Sequence, residues 1–252
     1  MNTSSYSSFA GVYDLLTFNA SYDVMAARLC DILRSHGIEG GLVLDLGCGT
    51  GTLTYMLSER GYDMLGVDSS PDMLTLAQCK ECLGARPLFL CQSMEELDLY
   101  GTVRAAVSTL DCFNHLPGAD ALDRAFSRLR LFVEPGGLLV FDVNTQYKHK
   151  SILANETYIY DLDDVYCVWQ NATDGDSLVT DISLEVFQRC GDSTYTRFSE
   201  SFSERAFSDE CITGMLAKHG FSVLSRENAY TGIALSEHSQ RALYTAVRGD
   251  GD

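Results

Sequence analysis

Residues 40–144 repeat one pattern, in which a short and almost entirely apolar run is followed by a turn and then by a stretch with helical spacing. Strands that are apolar on both faces are typical of parallel sheets covered by helices on both sides. The helical spacing occurs in Thr52–Arg60, Pro71–Leu83 and Ala119–Val133. The alternation therefore predicts an α/β fold with a mostly parallel sheet. The apolar runs that form its first five strands are GLVLDLGCG, YDMLGVD, RPLFLCQ, RAAVSTLD and GGLLVFDVN.

The sequence pattern changes after the fifth apolar run. Segments that alternate apolar and polar residues are separated by turn signals, which predicts an antiparallel β meander. We therefore expect a core formed by residues 1–150 and 207–252, and an inserted β subdomain formed by residues 151–206. The insertion serves either as a lid or as the surface of a homodimer, and the sequence favours neither. Its alternating segments are Thr157–Gln170, Leu178–Cys190 and Tyr195–Ala206.

Segments at both ends of the chain complete the predicted core. Near the N-terminus, Val24–Leu33 has helical spacing. After the insertion, Ser208–His219 predicts a helix with Ser208 as its N-cap, and Phe221–Glu227 and Ala242–Arg248 predict two last strands. We expect a Rossmann-like sheet of seven strands with helices on both faces.

The charge of the chain excludes several kinds of partner. Eighteen basic residues against 35 acidic residues give a net charge of −17. Nucleic-acid affinity rests on Lys and Arg that neutralise phosphates, so we expect neither nucleic acids nor anionic membranes as partners. No apolar stretch is long enough to cross a bilayer, and Met1–Ser8 lacks the features of a signal peptide. These features, with an odd count of nine cysteines, predict a cytoplasmic protein.

The strongest local signal is a glycine loop that ends the first predicted strand and opens a helix. Its pattern is G-x-G-x-G over Gly47–Gly51, and Thr52 stands where the dinucleotide fingerprint has its third glycine. Asp45 lies two residues before the first glycine. A carboxylate there disfavours a pyrophosphate and suits a ligand that carries an ammonium and a sulfonium group. Both details argue against an NAD-dependent dehydrogenase.

A second acid, Asp68, ends the second predicted strand, 17 residues beyond Gly51. A carboxylate at this position can accept hydrogen bonds from both hydroxyls of a ribose. The alternative is that Asp68 only caps the helix that follows. Ser70 before Pro71 is already a good N-cap, and we therefore favour the ribose role.

These motifs resemble those of the class I S-adenosylmethionine-dependent methyltransferases. The resemblance rests on LDLGCGTG, GVDSSPDML, FLCQSMEEL and LFVEPGGLLVFDVN, and it extends over most of the chain. FAGVYDLLTFNASYD and FDVNTQYKHK are similar to a bacterial subgroup of small-molecule enzymes with an antiparallel insertion over the active site. The resemblance implies S-adenosylmethionine as the cofactor.

The resemblance also implies roles for individual residues. The glycine loop and Asp45 would line the amino-acid end of the cofactor, Asp68 would hold the ribose, and Asp111 would face the methionine portion. Many relatives have an acid at the position of Ser93, so a weaker hydrogen bond to the adenine is expected here. Two N-terminal tyrosines either close over the cofactor or pack against the sheet. The implied cofactor-binding set is Tyr13, Tyr22, Asp45, Gly47, Cys48, Gly49, Asp68, Ser69, Met73, Ser93, Met94 and Asp111.

The substrate side is less defined. Candidate catalytic residues are Asp111, Asn114, His115 and Tyr22. His115 has a side chain that titrates near neutrality, but a loop histidine without chemistry is the stronger interpretation. Asn114 either orients a polar substrate or bonds its own backbone. We expect no metal site, because no second cysteine pair accompanies Cys79 and Cys82.

The sequence therefore predicts a methyltransferase that acts on nitrogen or oxygen of a small metabolite. Two alternatives stay open. One is a cofactor-binding regulator or subunit without catalytic activity, and the other is a protein methyltransferase.

Overall fold

The structure of the protein is a computed structural model that describes residues 5–251. Residues 1–4 of the polar N-terminal stretch lie outside this range. Among residues 5–251, no helix is both long and apolar enough to cross a membrane. The helices are α1 Ser5–Leu16, α2 Tyr22–Ser35, α3 Thr52–Glu59, α4 Pro71–Cys79, α5 Ala119–Phe132 and α6 Asp209–Lys218.

Within residues 5–251, eleven strands form two separate sheets. The core strands are β1 Leu42–Leu46, β2 Asp63–Asp68, β3 Leu88–Cys91, β4 Val103–Ser108, β5 Val133–Asn144, β10 Phe221–Asn228 and β11 Arg241–Arg248. The insertion strands are β6 Thr157–Asp161, β7 Val165–Asp174, β8 Val179–Arg189 and β9 Tyr195–Arg205. A π-helical turn, Lys148–Leu153, connects β5 to the insertion.

The core sheet confirms the predicted fold class. Its strand order is β10-β11-β5-β4-β1-β2-β3. Strands β1 to β5 are parallel to one another, and β11 runs antiparallel between β5 and β10. The chain moves outward from β1 to β3 and then returns to place β4 on the other side of β1. In open α/β sheets, ligands bind at the carboxyl ends of the strands beside such a reversal.

Apolar clusters cover both faces of the core sheet. On one face, α5 and α6 contribute Phe126 and Leu216 to a buried cluster that includes Phe113 and Phe141. On the other face, α2 and α3 pack against Val43, Val107 and their neighbours. The strands are apolar on both sides because both sides are covered, as their sequence predicts.

Two predicted segments differ from the structure. Thr157–Gln170 is not one segment, because a turn after Asp161 separates β6 from β7 and pairs the backbones of Leu162 and Val165. The helix predicted for Pro71–Leu83 ends at Cys79, because Lys80 is extended. The Lys80 ammonium group instead pairs with Asp14 of α1, at 2.8 Å.

The insertion buries its apolar face against the N-terminal helix. Val12 and Leu16 of α1 pack with Val165, Cys167 and Ile182 of the insertion in one buried cluster. A half-apolar antiparallel sheet must bury one face, and here α1 supplies part of the cover. The N-terminal helix thus lies between the insertion and the core, close to the carboxyl ends of the parallel strands.

Candidate active site

A cavity of about 1330 Å³ lies at the carboxyl ends of the parallel strands and extends beneath the insertion. Its lining includes Gly47 after β1, Asp68 at the end of β2 and Asp111 after β4. The insertion contributes Trp169 and Phe202 to the opposite wall. A typical small-molecule pocket measures about 300–1,000 Å³, so this cavity has room for a cofactor together with a second small molecule.

The glycine loop folds back onto the second strand. The amides of Gly47 and Cys48 donate to the carbonyl oxygen of Val67, at 2.7 and 3.0 Å. Gly47 has a φ of +79°, and a Cβ atom there would lie 2.5 Å from the Cys112 sulfur. The position therefore requires glycine, both for its backbone conformation and because the Cys112 side chain occupies the space where a Cβ atom would lie.

Asp68 lies between the glycine loop and the start of α4. Its Oδ2 accepts from the Gly49 amide and its Oδ1 from the Ser70 amide, each at 2.8 Å. The hydroxyl of Ser70 caps α4 by accepting from the Met73 amide, at 3.3 Å, as the sequence predicts. Burial raises the pKa of Asp68, against the effect of its backbone hydrogen bonds. Each carboxylate oxygen keeps lone-pair capacity toward the cavity.

Most of the predicted site residues line this cavity. Those that do are Tyr13, Gly47, Gly49, Asp68, Ser69, Met73, Ser93, Met94, Asp111 and His115. Tyr22, Asp45 and Cys48 instead line a small neighbouring cavity of about 20 Å³ behind the glycine loop. Burial, followed by neighbouring acidic groups, raises the pKa of Tyr13, and burial also raises that of Tyr22. Both phenols therefore stay protonated at neutral pH, and Tyr22 does not suit the role of a base.

Asp45 is a buried carboxylate beneath the loop, with only 2% of its surface exposed. Its Oδ2 accepts from the Thr54 hydroxyl, at 2.5 Å. Burial raises the pKa of Asp45 from 3.8 to about 7, although the bond from Thr54 acts in the opposite direction. A cation bound in front of the loop would favour the ionised form.

We expect Asp45→Asn to stabilise the cofactor-free protein at alkaline pH. Ionisation of Asp45 costs free energy only in the folded state, so the penalty is absent below the unfolded pKa, grows as the pH rises and is complete above pH 7. The variant keeps an oxygen for Thr54 and should gain on the order of 2 kcal/mol at about pH 8. Urea unfolding at several pH values measures this gain, which should shrink toward about pH 4. A variant that is less stable than the wild type at alkaline pH contradicts this account.

Asn114 is not a substrate ligand in this structure, contrary to one of the two sequence interpretations. It is fully buried and lines neither cavity. Its Nδ2 donates to the carbonyl oxygens of Asn144 and Arg205, at 3.1 and 2.8 Å, and its Oδ1 accepts from the Asn144 amide at 2.9 Å. The side chain therefore joins the loop after β4 to the ends of β5 and β9. His115 is exposed, lies at the cavity and packs its ring 5.3 Å from that of Phe202.

A network of charged groups holds the loop that carries Asp111. Leu110 and Asp111 both have positive φ values, +57° and +55°, which are uncommon for residues other than glycine. The carboxylate of Asp142 accepts from both of their amides, at 3.0 and 2.8 Å. Arg241 donates to Asp111 and to Asp142, each at 2.7 Å, and the side-chain Nδ2 of Asn144 donates to Asp111 at 2.7 Å. Burial alone would raise the pKa of Asp111, but Arg241 and other nearby cations hold it below its usual range.

Among the charged residues that line the cavity, the sequence assigns no role to Lys148, Glu204 and Arg241. Lys148 lies in the π-helical turn, Glu204 on the last insertion strand and Arg241 at the first position of β11. Arg241 belongs to none of the sequence motifs. The sequence shows it only as a charged residue at the start of the apolar strand β11. Antiparallel pairing places it opposite Asn144, at the carboxyl end of β5.

Asp111, His115 and Glu204 bring one oxygen or nitrogen atom each to within 4.8 Å of one another. Arg241 already pairs with Asp111, and the Lys148 ammonium lies 2.9 Å from Asn144 Oδ1 beside the same cluster. The cluster therefore belongs to a charge network that already contains two cations, Arg241 and Lys148, and the absence of a metal ion stays a prediction.

The residues present fit the cofactor that the motifs imply. Gly47 and Gly49 line the cavity and carry no side chain, so a ligand can lie close to the main chain there. Asp68 faces the cavity with acceptor capacity for two ribose hydroxyls. The apolar side chains of Met73 and Met94 line the same region and suit the faces of an adenine ring.

Comparison with known proteins supports this assignment. Residues 43–137 match the model of a methyltransferase domain. The protein YqeM of Bacillus subtilis, which is named as a methyltransferase, is 31% identical over 96% of this chain and 97% of its own length. An S-adenosylmethionine-dependent methyltransferase from Clostridium acetobutylicum has a TM-score of 0.85 and 27% identity, over 97% of this chain and 99% of its own.

A more distant relative carries a more specific name. A dTDP-3-amino-3,4,6-trideoxy-glucopyranose N,N-dimethyltransferase of Streptomyces venezuelae is 34% identical over 53% of this chain and 56% of its own length. The match to this relative covers about half of either chain, whereas the match to YqeM covers almost the full length of both. With the seven-stranded sheet, the glycine loop and Asp68 in place, the chain belongs to the class I S-adenosylmethionine-dependent methyltransferases.

Proposed function

We propose that the protein transfers the methyl group of S-adenosylmethionine to nitrogen or oxygen of a small metabolite. The observation that carries the proposal is the part of the cavity beyond the cofactor residues. Aromatic side chains from three insertion strands line it, namely Tyr158 and Tyr160 of β6, Trp169 of β7 and Phe202 of β9. A cavity walled in this way suits a compact ligand with an apolar body.

The insertion thus acts as a lid over the substrate side. Its strands contact α1 through a shared apolar cluster and place their aromatic residues over the carboxyl ends of the core strands. Of the two roles that the sequence leaves open, lid or dimer surface, this position favours the lid. The relative that methylates an amino sugar supports a small-molecule acceptor, and the net charge of −17 disfavours RNA.

The chain's own residues mainly position the reactants. When bound, the cofactor supplies a methyl group already activated by a sulfonium. Asp68 and the glycine loop orient the nucleoside, and the ionised Asp111 stabilises positive charge in front of β4. The lid excludes water and aligns the acceptor atom, which is the main requirement for this displacement.

Incubation with labelled S-adenosylmethionine and a cell extract, which is separated afterwards into metabolites and protein, tests the proposal. Transfer of label to small molecules is the expected result. Tight cofactor binding without transfer to any acceptor supports a regulator or subunit instead, and label found only in protein supports a protein methyltransferase.

We expect S-adenosylmethionine and its demethylated product to bind, and NAD to bind far more weakly. The reason is the loop with Asp45 and Thr52, which suits a cationic ligand and lacks the third glycine of the dinucleotide fingerprint. Titration calorimetry with each ligand measures the three affinities. Tighter binding of NAD would contradict the cofactor assignment.

A further inference from the structure

Glu204 brings a carboxyl group from the lid into the cavity. It lies on β9, has 4% of its surface exposed and lines the cavity beside Asp111. Its Oε2 accepts from the side-chain amide of Asn144, at 3.1 Å. The methyltransferase motifs assign this residue no role, and yet it is among the groups that lie nearest to Asp111 and His115.

A chain of hydrogen bonds determines the tautomer of His149, which lies next to Glu204. The Thr173 hydroxyl donates to the carbonyl oxygen of Ala154, at 2.6 Å, and so has no proton left for Thr180. Thr180 must therefore donate to Thr173, at 2.9 Å. His149 Nδ1 lies 2.8 Å from the Thr180 hydroxyl oxygen and must be the donor in that pair.

The other ring nitrogen of His149 consequently carries a lone pair. His149 is fully buried, and burial lowers its pKa from 6.5 to about 4, so the ring is neutral at pH 7. Among the residues that the structure describes, Nε2 has no hydrogen-bond partner, and it lies 3.9 Å from Glu204 Oε2. A lone pair facing a carboxylate is unfavourable, whereas the same lone pair can accept the proton of a neutral carboxyl group.

The surrounding charges act in the same direction. The titratable and charged groups around Glu204 are Asp111 and His115 from the loop after β4, Lys148 and His149 from the π-helical turn, and Arg241 from β11. Burial is the first cause that raises the pKa of Glu204 above its usual range, and the charge of Asp111 is the second. Lys148 and Arg241 oppose this rise without cancelling it.

We propose that Glu204 accepts the proton that an amine substrate loses before methyl transfer, and that His149 Nε2 then accepts a hydrogen bond from the protonated carboxyl group. This inference rests on the proposed function. An ammonium group has no lone pair, so it must transfer one N–H proton to the Glu204 carboxylate. The freed nitrogen pair then forms the N–C bond to the methyl carbon, and the electrons of the C–S bond stay on sulfur.

An amine is the acceptor that these groups suit. Its ammonium form is attracted by the carboxylates of Asp111 and Glu204, and aromatic faces such as that of Trp169 also favour a cation nearby. A carboxyl group with a raised pKa takes a proton from an ammonium at a small cost, whereas an aliphatic hydroxyl is far too weak an acid. After turnover, the proton leaves Glu204 with the opening of the lid.

The experiment compares Glu204→Gln with Glu185→Gln, which removes a carboxylate from β8 outside the cavity. The probes are labelled S-adenosylmethionine and a metabolite extract with its amine fraction separated. Glu204→Gln should lower label transfer to amines by about 100-fold or more, while its affinity for S-adenosylmethionine stays unchanged. Glu185→Gln should behave as the wild type. Equal transfer by Glu204→Gln and the wild type overturns the proposal, as does label that enters only the fraction without amines.

Infrared difference spectra between alkaline and acidic pH, recorded on the protein with S-adenosylmethionine, test the role of His149, because protonation of Glu204 by the solvent forms the same carboxyl group that proton transfer from an amine forms. A carbonyl band of a protonated carboxyl group should disappear in Glu204→Gln and shift in His149→Phe, which lacks the accepting nitrogen. A band that is unchanged in His149→Phe rules out the hydrogen bond. If the wild type transfers no label to any small molecule, the proposed function itself fails, and with it the catalytic role of Glu204.

Discussion

Arg241→Met should destabilise the protein by about 3–5 kcal/mol, the usual cost of removing one partner from a buried ion pair. The guanidinium lies between Asp111 and Asp142, at 2.7 Å from each, and about a tenth of its side chain is exposed. Methionine fills similar volume but leaves two carboxylates without their cation. Asp142 also accepts hydrogen bonds from the backbone amides of Leu110 and Asp111. The loop after β4 should therefore lose its conformation as well.

Urea unfolding of the cofactor-free variant measures this loss. Arg226→Met is the matched control, because Arg226 on the neighbouring strand β10 forms an exposed ion pair with Asp209. Exposed pairs contribute about 0–1 kcal/mol, so the control should unfold almost as the wild type does. If both variants lose an equally small free energy of unfolding, the two carboxylates at Arg241 are hydrated and their ion pairs contribute little to stability.

Asp68→Ala should raise the dissociation constant for S-adenosylmethionine tenfold or more. A hydrogen bond to a charged acceptor contributes about 1.5–3 kcal/mol, and about 1.4 kcal/mol corresponds to a factor of ten. Two hydroxyl bonds will not add fully, because water replaces part of the loss. The variant also removes the acceptor that holds the Gly49 amide, so the glycine loop should become less ordered.

Titration calorimetry of Asp68→Ala, Asp68→Asn and Asp72→Ala separates these contributions. The asparagine variant keeps one acceptor oxygen and should fall between the alanine variant and the wild type. Asp72 lies in the first turn of α4 but outside the cavity lining, and its replacement should leave binding unchanged. An unchanged dissociation constant in folded Asp68→Ala removes this residue from the cofactor site.

Local sequence signals were sufficient for the cofactor side of the protein. Apolar runs that are buried on both faces can only form a covered parallel sheet, and the glycines after β1 serve a turn that other residues cannot adopt. Ser70 caps α4 as the sequence predicts, whereas the ribose role of Asp68 stays a prediction that its position at the end of β2 supports. In each case, the interacting groups are neighbours in the chain or occupy equivalent ends of adjacent strands.

The substrate side depends on contacts between distant segments. Arg241 lies 99 residues from Asp142 in the chain, and Asn114 lies 91 residues from Arg205. Sequence patterns report whether a side chain is buried, but they do not report which buried polar group faces it. For that reason the sequence leaves a substrate role open for Asn114, whose three hydrogen bonds to the backbone only the structure shows, and it carries no signal for Glu204 and His149.

By itself, the sequence determined the fold class, the cofactor loop and the acid at the end of β2, because these follow from local periodicity and from backbone conformations open only to glycine. Only the tertiary structure decided that β11 brings Arg241 to Asp111 and that the lid brings Glu204 to His149. The physical reason is that a buried charge must find its partner in three dimensions, and the packing of separate elements determines that partner.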